Sequence, residues 1–315
     1  MPYGIAIPQV FPDEPVDMGL VRVFVTRSEG LGYHSLWVQE RVFGSASALE
    51  PLALLSYAAA LTRSVRLGTA VLIASIHNPV HLAKQLSTLD QISDGRLIVG
   101  VALGGRPTQY QLFGGPSERR VRHFVESVEV MKALWERPRA SYDGDFWRFD
   151  GLAMEPRPVQ QPHPPIWFGG RHPDGLRRAA RLADGWMGAG STATDQFRDH
   201  VGVVRSALDE AGRDPATFPI AKRVYVALDD DEARAEERLR TWFGRHYGDA
   251  DMASRVSVWG PAQRCIEGLA EVVESGAQML MLNPAFDHME HLEALASDIM
   301  PRLGLPEGGL GAVLP

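Results

Sequence analysis

The 315-residue chain is 45% apolar and carries a net charge of −7. It lacks the basic footprint of a nucleic-acid binder, and mild acidity speaks only for solubility. Cys265 is the sole cysteine, the first residues lack a signal-peptide pattern, and no apolar run is long enough to span a bilayer. The expected setting is therefore cytoplasmic, with no disulfide framework.

Short apolar runs alternate with helical spacing. Residues 4–9 read as a first strand, and 17–29 as a helix stopped by Gly30. Ser35 to Val38 is a second strand, the Ala- and Leu-rich stretch 50–61 a helix, and Val65 to Leu72 a third strand. Asn78-Pro79 has the form of an N-cap with proline at the first helical position, and that helix runs to Ile92. Asp94-Gly95 turns the chain into a fourth strand, 96–101, followed by the glycine-rich Gly104-Gly105 and a long helix, 118–135. Asp143-Gly144 between aromatic flanks predicts an inserted hairpin near 140–150, and the five prolines of 155–165 an extended connector. Strands follow at 166–168, near Trp186-Met187, at 223–228 and at 279–282. Helices are expected over 175–182, 195–211, 231–247, 261–274 and 288–300.

Eight strands separated by helices predict an α/β fold, a (β/α)8 TIM-type barrel with insertions. The expected organisation is one domain over residues 1–306 with a loose tail, 307–315.

Barrel enzymes act at the C-terminal ends of their strands. Gly169-Gly170 follows a strand and precedes a helix, so its amides suit a phosphate, with Arg171 adding charge. An ordinary tight turn explains the same residues equally well. Glu40-Arg41 ends the second strand and offers an acid-base group and a cation, or simply a rim ion pair. His77 follows the third strand and could face the site, although a lone His is more often a solvated loop residue; Trp135, Trp147 and Trp167 read as packing. No zinc motif, P-loop, G-x-G-x-x-G after a strand or G-x-S-x-G elbow is present.

Several segments, in order, resemble the bacterial luciferase-like family of flavin and deazaflavin oxidoreductases. They are Gly32 to Glu40 (GYHSLWVQE), Leu67 to Leu72 (LGTAVL) with Asn78-Pro79 and Gln85, and Leu89 to Arg96 (LDQISDGR) running into Gly100. Asp143 to Phe149, Pro165 to Gly170 (PIWFGG), Ala183 to Trp186 and Asp298 to Pro301 extend the likeness over nearly the whole chain. The resemblance implies a homodimer acting on a small molecule, with a tricyclic redox ring at the strand ends. It implies cofactor contacts from Glu40, Ala70, Val71, Asn78, Leu103 and Gly104, and a phosphate loop at Gly169, Gly170 and Arg171. It also implies a non-proline cis bond at Ala70-Val71.

Two departures bear on mechanism. Many members carry an acid then His at the end of the second strand; here Arg41 follows Glu40, and arginine stays charged where imidazole can shuttle protons. Glu40 and Arg41 are the expected catalytic pair, Arg41 stabilising negative charge. The family's sugar-phosphate dehydrogenases place glutamate where Gly105 stands and lysine where Thr192 stands, which disfavours such substrates. The expected cofactor is coenzyme F420, with hydride transfer to or from a small organic substrate. An FMN-dependent monooxygenase is the alternative, and a non-catalytic flavin-binding protein a third reading.

Overall fold

The computed structural model describes residues 1–12, 15–44, 46–104, 107–116 and 118–303. Gly105 and the expected tail lie outside the described residues. Eight parallel strands carry the fold: β1 (Tyr3–Ala6), β2 (Ser35–Val38), β3 (Arg66–Thr69), β4 (Leu97–Ala102), β5 (Ile166–Gly169), β6 (Gly185–Gly188), β7 (Ile220–Leu228) and β8 (Met279–Pro284). Their order is β5-β6-β7-β8-β1-β2-β3-β4, and β4 pairs again with β5. This is a closed eight-stranded parallel barrel of the TIM type.

The helices begin where the sequence supplies caps. Helix α1 (Met18–Gly30) opens on Asp17, which accepts Leu20 N–H at 2.9 Å, and α2 (Pro51–Leu61) on Glu50. Asn78 accepts Val80 N and His81 N at the start of α3 (Pro79–Ile92), with Pro79 in the first turn. Helices α4 (Arg120–Glu136), α5 (Pro173–Leu182), α6 (Thr194–Glu210) and α7 (Glu232–Tyr247) follow. The chain ends its described helices with α8 (Ala262–Glu274) and α9 (His288–Ala294).

The chain separates into two compact units. One comprises Met1–Gln9, Asp17–Trp37 and everything from Gly169 on. Its core holds β8, buried along its whole length, with Phe24 and Val25 of α1. In this unit β7 starts at Ile220, three residues before Arg223, where the sequence reading begins it. Lys222 is 2% exposed, and its ammonium donates to the carbonyls of Ala189 (2.5 Å) and Thr192 (2.8 Å) and lies over the Phe197 ring. It thus fastens the β6–α6 loop from within. The unit also contains a short helix, Met252–Val256, and a strand, Ser257–Gly260, pairing with the end of β7; the sequence reading has neither. The last helix stops at Ala294 and passes into a π turn, Leu295–Ile299.

The other unit comprises Val10–Val16 and Val38–Phe168. Its β3 and β4 approach so closely that a Cβ on Gly100 would sit 1.8 Å from Thr69 O. Thr69 Oγ1 fills the remaining space, accepting Gly100 N–H at 2.9 Å and donating to Gly100 O at 2.7 Å. Arg96 closes the C-terminal end of α2 by donating to Ala59 O, Thr62 O and Val65 O. The inserted hairpin pairs Ala140–Asp143 with Arg148–Leu152. Glu126 of α4, fully buried, accepts the turn amides of Asp145 (3.0 Å) and Phe146 (2.9 Å) and pairs with Arg122 at 2.8 Å.

Because the atom facing Gly100 is backbone, Gly100→Ala is expected to destabilise the fold by about 3 kcal/mol, read as a lowered midpoint in chemical denaturation; an unchanged midpoint would show that the strands separate freely. Burial pulls the Lys222 ammonium down from 10.5 to about 7. Between those values the unfolded chain holds a proton that the folded chain has released, so this lysine makes stability rise with pH across that window. Lys222→Met is expected to flatten the rise, measured as melting temperature against pH for both proteins.

Candidate active site

In the unit built on β3 and β4, the chain leaving β3 turns sharply. The Ala70–Val71 peptide bond is cis, as the resemblance implies. Ala70 N–H donates to Val38 O at 2.7 Å, and Glu40 N–H to Val71 O at 3.3 Å, so the turn lies against the end of β2. The Glu40 side chain is only 4% exposed. One of its oxygens accepts Ile73 N–H at 2.5 Å, and the other takes Nε2–H of His77 at 2.7 Å. An ionised carboxylate has only acceptors, so the imidazole is the donor here. A buried carboxylate needs such partners to offset its lost hydration.

This arrangement corrects two sequence readings. Glu40 makes no rim ion pair with Arg41, whose Nε instead reaches back toward Phe43 O at 3.4 Å while its guanidinium packs on Gly44. His77 is not a solitary solvated residue, because it is the partner of Glu40. Asn78 uses its side-chain oxygen to cap α3. At the end of β4, the carbonyls of Leu103 and Gly104 both accept the Tyr110 hydroxyl. Gly104 has φ +81°, and a Cβ there would meet Ile73 Cγ2 at 2.6 Å, so the backbone must stay bare.

The other unit presents the glycine turn. Gly169 ends β5; Gly170 has φ +142°, and nothing lies within 4 Å of where its Cβ would be. Its carbonyl accepts Trp186 Nε1–H at 3.0 Å, which fixes the turn on β6. Arg171 is exposed and lacks a carboxylate partner among the described residues. His172 caps α5, accepting Asp174 N–H through Nδ1, and Pro173 stands in the first turn. Helix start, bare glycine and free cation together make an anion-accepting geometry.

Two groupings in this unit escape sequence reasoning. Lys222 comes from β7 yet grips the carbonyl of Thr192, the position where a lysine was sought along the chain. Thr192 Oγ1 is buried there without a partner. One residue on, Arg223 donates from Nε to Asn283 Oδ1 at 2.8 Å and from Nη2 to the Tyr225 hydroxyl, which meets that of Tyr247 at 2.6 Å. The register Tyr225↔Asn283 between β7 and β8 brings Arg223, Tyr225 and Asn283 together, and Tyr247 joins them from the end of α7. No group of three or more metal-ligating side chains occurs among the described residues.

A family model for luciferase-like monooxygenases matches residues 1–279. An uncharacterized protein of Mycobacterium tuberculosis is 38% identical over 168 residues, which are 53% of this chain and 58% of that protein. The oxygenase component of a flavin-dependent trigonelline monooxygenase from Acinetobacter baylyi is 32% identical over 69% of this chain and 61% of its own. The chain thus spans less than two thirds of the length of these relatives. An F420-dependent glucose-6-phosphate dehydrogenase of Nakamurella multipartita is 27% identical over 76% of this chain and 71% of that one. Among solved structures, an F420-dependent secondary alcohol dehydrogenase bound to an F420-acetone adduct superposes with a TM-score of 0.84 at 21% identity, covering 96% of this chain and 99% of that chain. That likeness concerns the fold. The match over residues 1–279, together with the closed barrel, makes this chain a member of the luciferase-like monooxygenase family.

Proposed function

We propose that the chain is a cytoplasmic oxidoreductase, working as a homodimer, that uses coenzyme F420 to move a hydride to or from a small organic substrate. The Glu40–His77 pair beside the Ala70–Val71 bond carries this reading. It restores, from two distant positions, the acid and imidazole that Arg41 had seemed to break up. Family membership and the F420-dependent relative support the coenzyme. The trigonelline monooxygenase supports the second reading, an FMN-dependent oxygenase.

Each unit offers residues proposed for one part of a coenzyme with a flat ring and an acidic tail. Glu40, Ala70, Val71, Asn78, Leu103 and Gly104 are proposed for the ring on the family resemblance, which the cis Ala70–Val71 bond beside Glu40 supports. Gly169, Gly170 and Arg171 are proposed for the tail, through amides at a helix start and one unpaired guanidinium.

When bound, the coenzyme supplies the hydride chemistry. The protein must then orient the substrate and manage a proton. Glu40 fixes the His77 ring through Nε2, leaving Nδ1 as the atom proposed to give or take a proton. Arg41 is proposed as the fixed positive charge at the end of β2, since arginine cannot serve as a base at neutral pH.

Fluorescence titration separates the coenzymes. F420 is expected to bind more tightly than FMN, and Gly170→Val to weaken that binding roughly tenfold or more, because valine cannot adopt φ +142° without strain. Failure to bind either coenzyme would sink the reading, and a preference for FMN would move it to the second. His77→Gln should lower kcat by a factor on the order of 100 while leaving coenzyme affinity within about twofold; an unaltered kcat would remove His77 from proton handling.

A further inference from the structure

The corner where the chain leaves β8 and enters α9 is built around His291, which is 3% exposed. Its Nδ1 lies 2.9 Å from the carbonyl oxygen of Asp287, one turn earlier. Its Nε2 lies 2.9 Å from the backbone nitrogen of Leu228, the last residue of β7. A carbonyl can only accept and an amide N–H can only donate. Nδ1 therefore carries the proton, and Nε2 offers its lone pair to Leu228. A single neutral tautomer satisfies both bonds. A further proton would have to sit on Nε2, where it would set two donors face to face.

The surroundings keep that proton away. From α9 and its first turn the ring faces Asp287, His288 and Glu290, and from α7 it faces Arg238. Arg238 holds the Asp287 carboxylate with both terminal nitrogens, at 2.5 and 2.8 Å. The same guanidinium lies 3.9 Å from the centre of the Phe286 ring, which meets His291 edge-on. Asp229, beside Leu228, is taken up by Arg234 through Nε at 2.8 Å. Burial outweighs the acidic neighbours and lowers the His291 pKa below the ordinary histidine value of 6.5. His288 is pushed down to about 4 by burial and then by His291, so it carries no charge near neutral pH.

We propose that His291 is an acid-sensitive latch: neutral, it fastens the end of β7 to the start of α9, and once protonated it lets go and frees the corner over residues 285–291. The barrel strands are not part of the latch, since β8 is held to β7 and β1 by its own ladders. The direction follows from proton linkage. An opened ring takes up a proton near 6.5, whereas the latched ring refuses it until a lower pH. Below 6.5 the open form is therefore favoured about tenfold more for each pH unit, until the latched ring itself titrates. The latch stands apart from the redox reading and keeps its meaning whichever coenzyme is bound.

Amide hydrogen exchange of the full chain, followed by NMR between about pH 5 and 7.5, tests the latch. The protection factor of the Leu228 amide is expected to fall about tenfold per pH unit below 6.5, while that of Leu282 in β8 holds. The His291 imidazole is expected to titrate below the ordinary histidine range. His291→Gln should make Leu228 protection independent of pH, because a side-chain amide can accept from Leu228 and donate to Asp287 without titrating. His288→Gln should leave the fall in place. If His291→Gln folds poorly, the wild-type titration and exchange decide together. The proposal is overturned by a wild-type Leu228 amide indifferent to pH, a His291 that titrates at an ordinary value, or an equal loss of protection at Leu282. A fall that persists in His291→Gln, or that His288→Gln abolishes, overturns it as well.

Discussion

One carboxylate holds the chemically interesting end of the β3–β4 unit together. Glu40 terminates β2, and its two oxygens take the backbone amide of Ile73 and the imidazole of His77. Both partners lie beyond the cis bond that follows β3. Without Glu40, the segment leaving β3 would have a stranded amide and an unoriented ring; without those partners, Glu40 would be a buried carboxylate with no hydrogen bonds to replace its hydration. Strand end, turn and histidine therefore form one unit in which none of the three is placed independently.

The same logic of close backbone approach recurs one strand along. Gly100 lets β3 and β4 come within reach of the Thr69 side chain, and the bare Gly104 lets Ile73 pack over the end of β4. The sequence shows these glycines as ordinary punctuation. Their meaning appears only when the distance from an added Cβ to the facing atom is known.

The barrel was legible because its strands are near-continuous apolar runs and its helices start at recognisable caps, as at Asn78-Pro79. What was missed shares a cause. Ser257–Gly260 is four residues long and only part-buried, too short to show a period. The start of β7 was hidden because Lys222-Arg223 looks polar, although Lys222 is buried with its charge on two carbonyls. In the site, Glu40 could be picked out from its place at a strand end. His77, 37 positions away, could not be paired with it, since spacing along the chain says nothing about contacts made through a turn. The Arg223–Tyr225–Asn283 grouping depends on strand register, which no single-sequence pattern encodes.

The hairpin is moored through its main chain. Glu126 grips the amides of positions 145 and 146, and any residue but proline supplies an amide. This part of the anchorage does not depend on the side chains at those positions, although the Asp145 carboxylate adds an ion pair with Arg119 and Tyr142 a hydrogen bond to Glu129. The two turn amides held by Glu126 would therefore survive a change of residue type at 145 or 146, so the main-chain part of the mooring is insensitive to sequence.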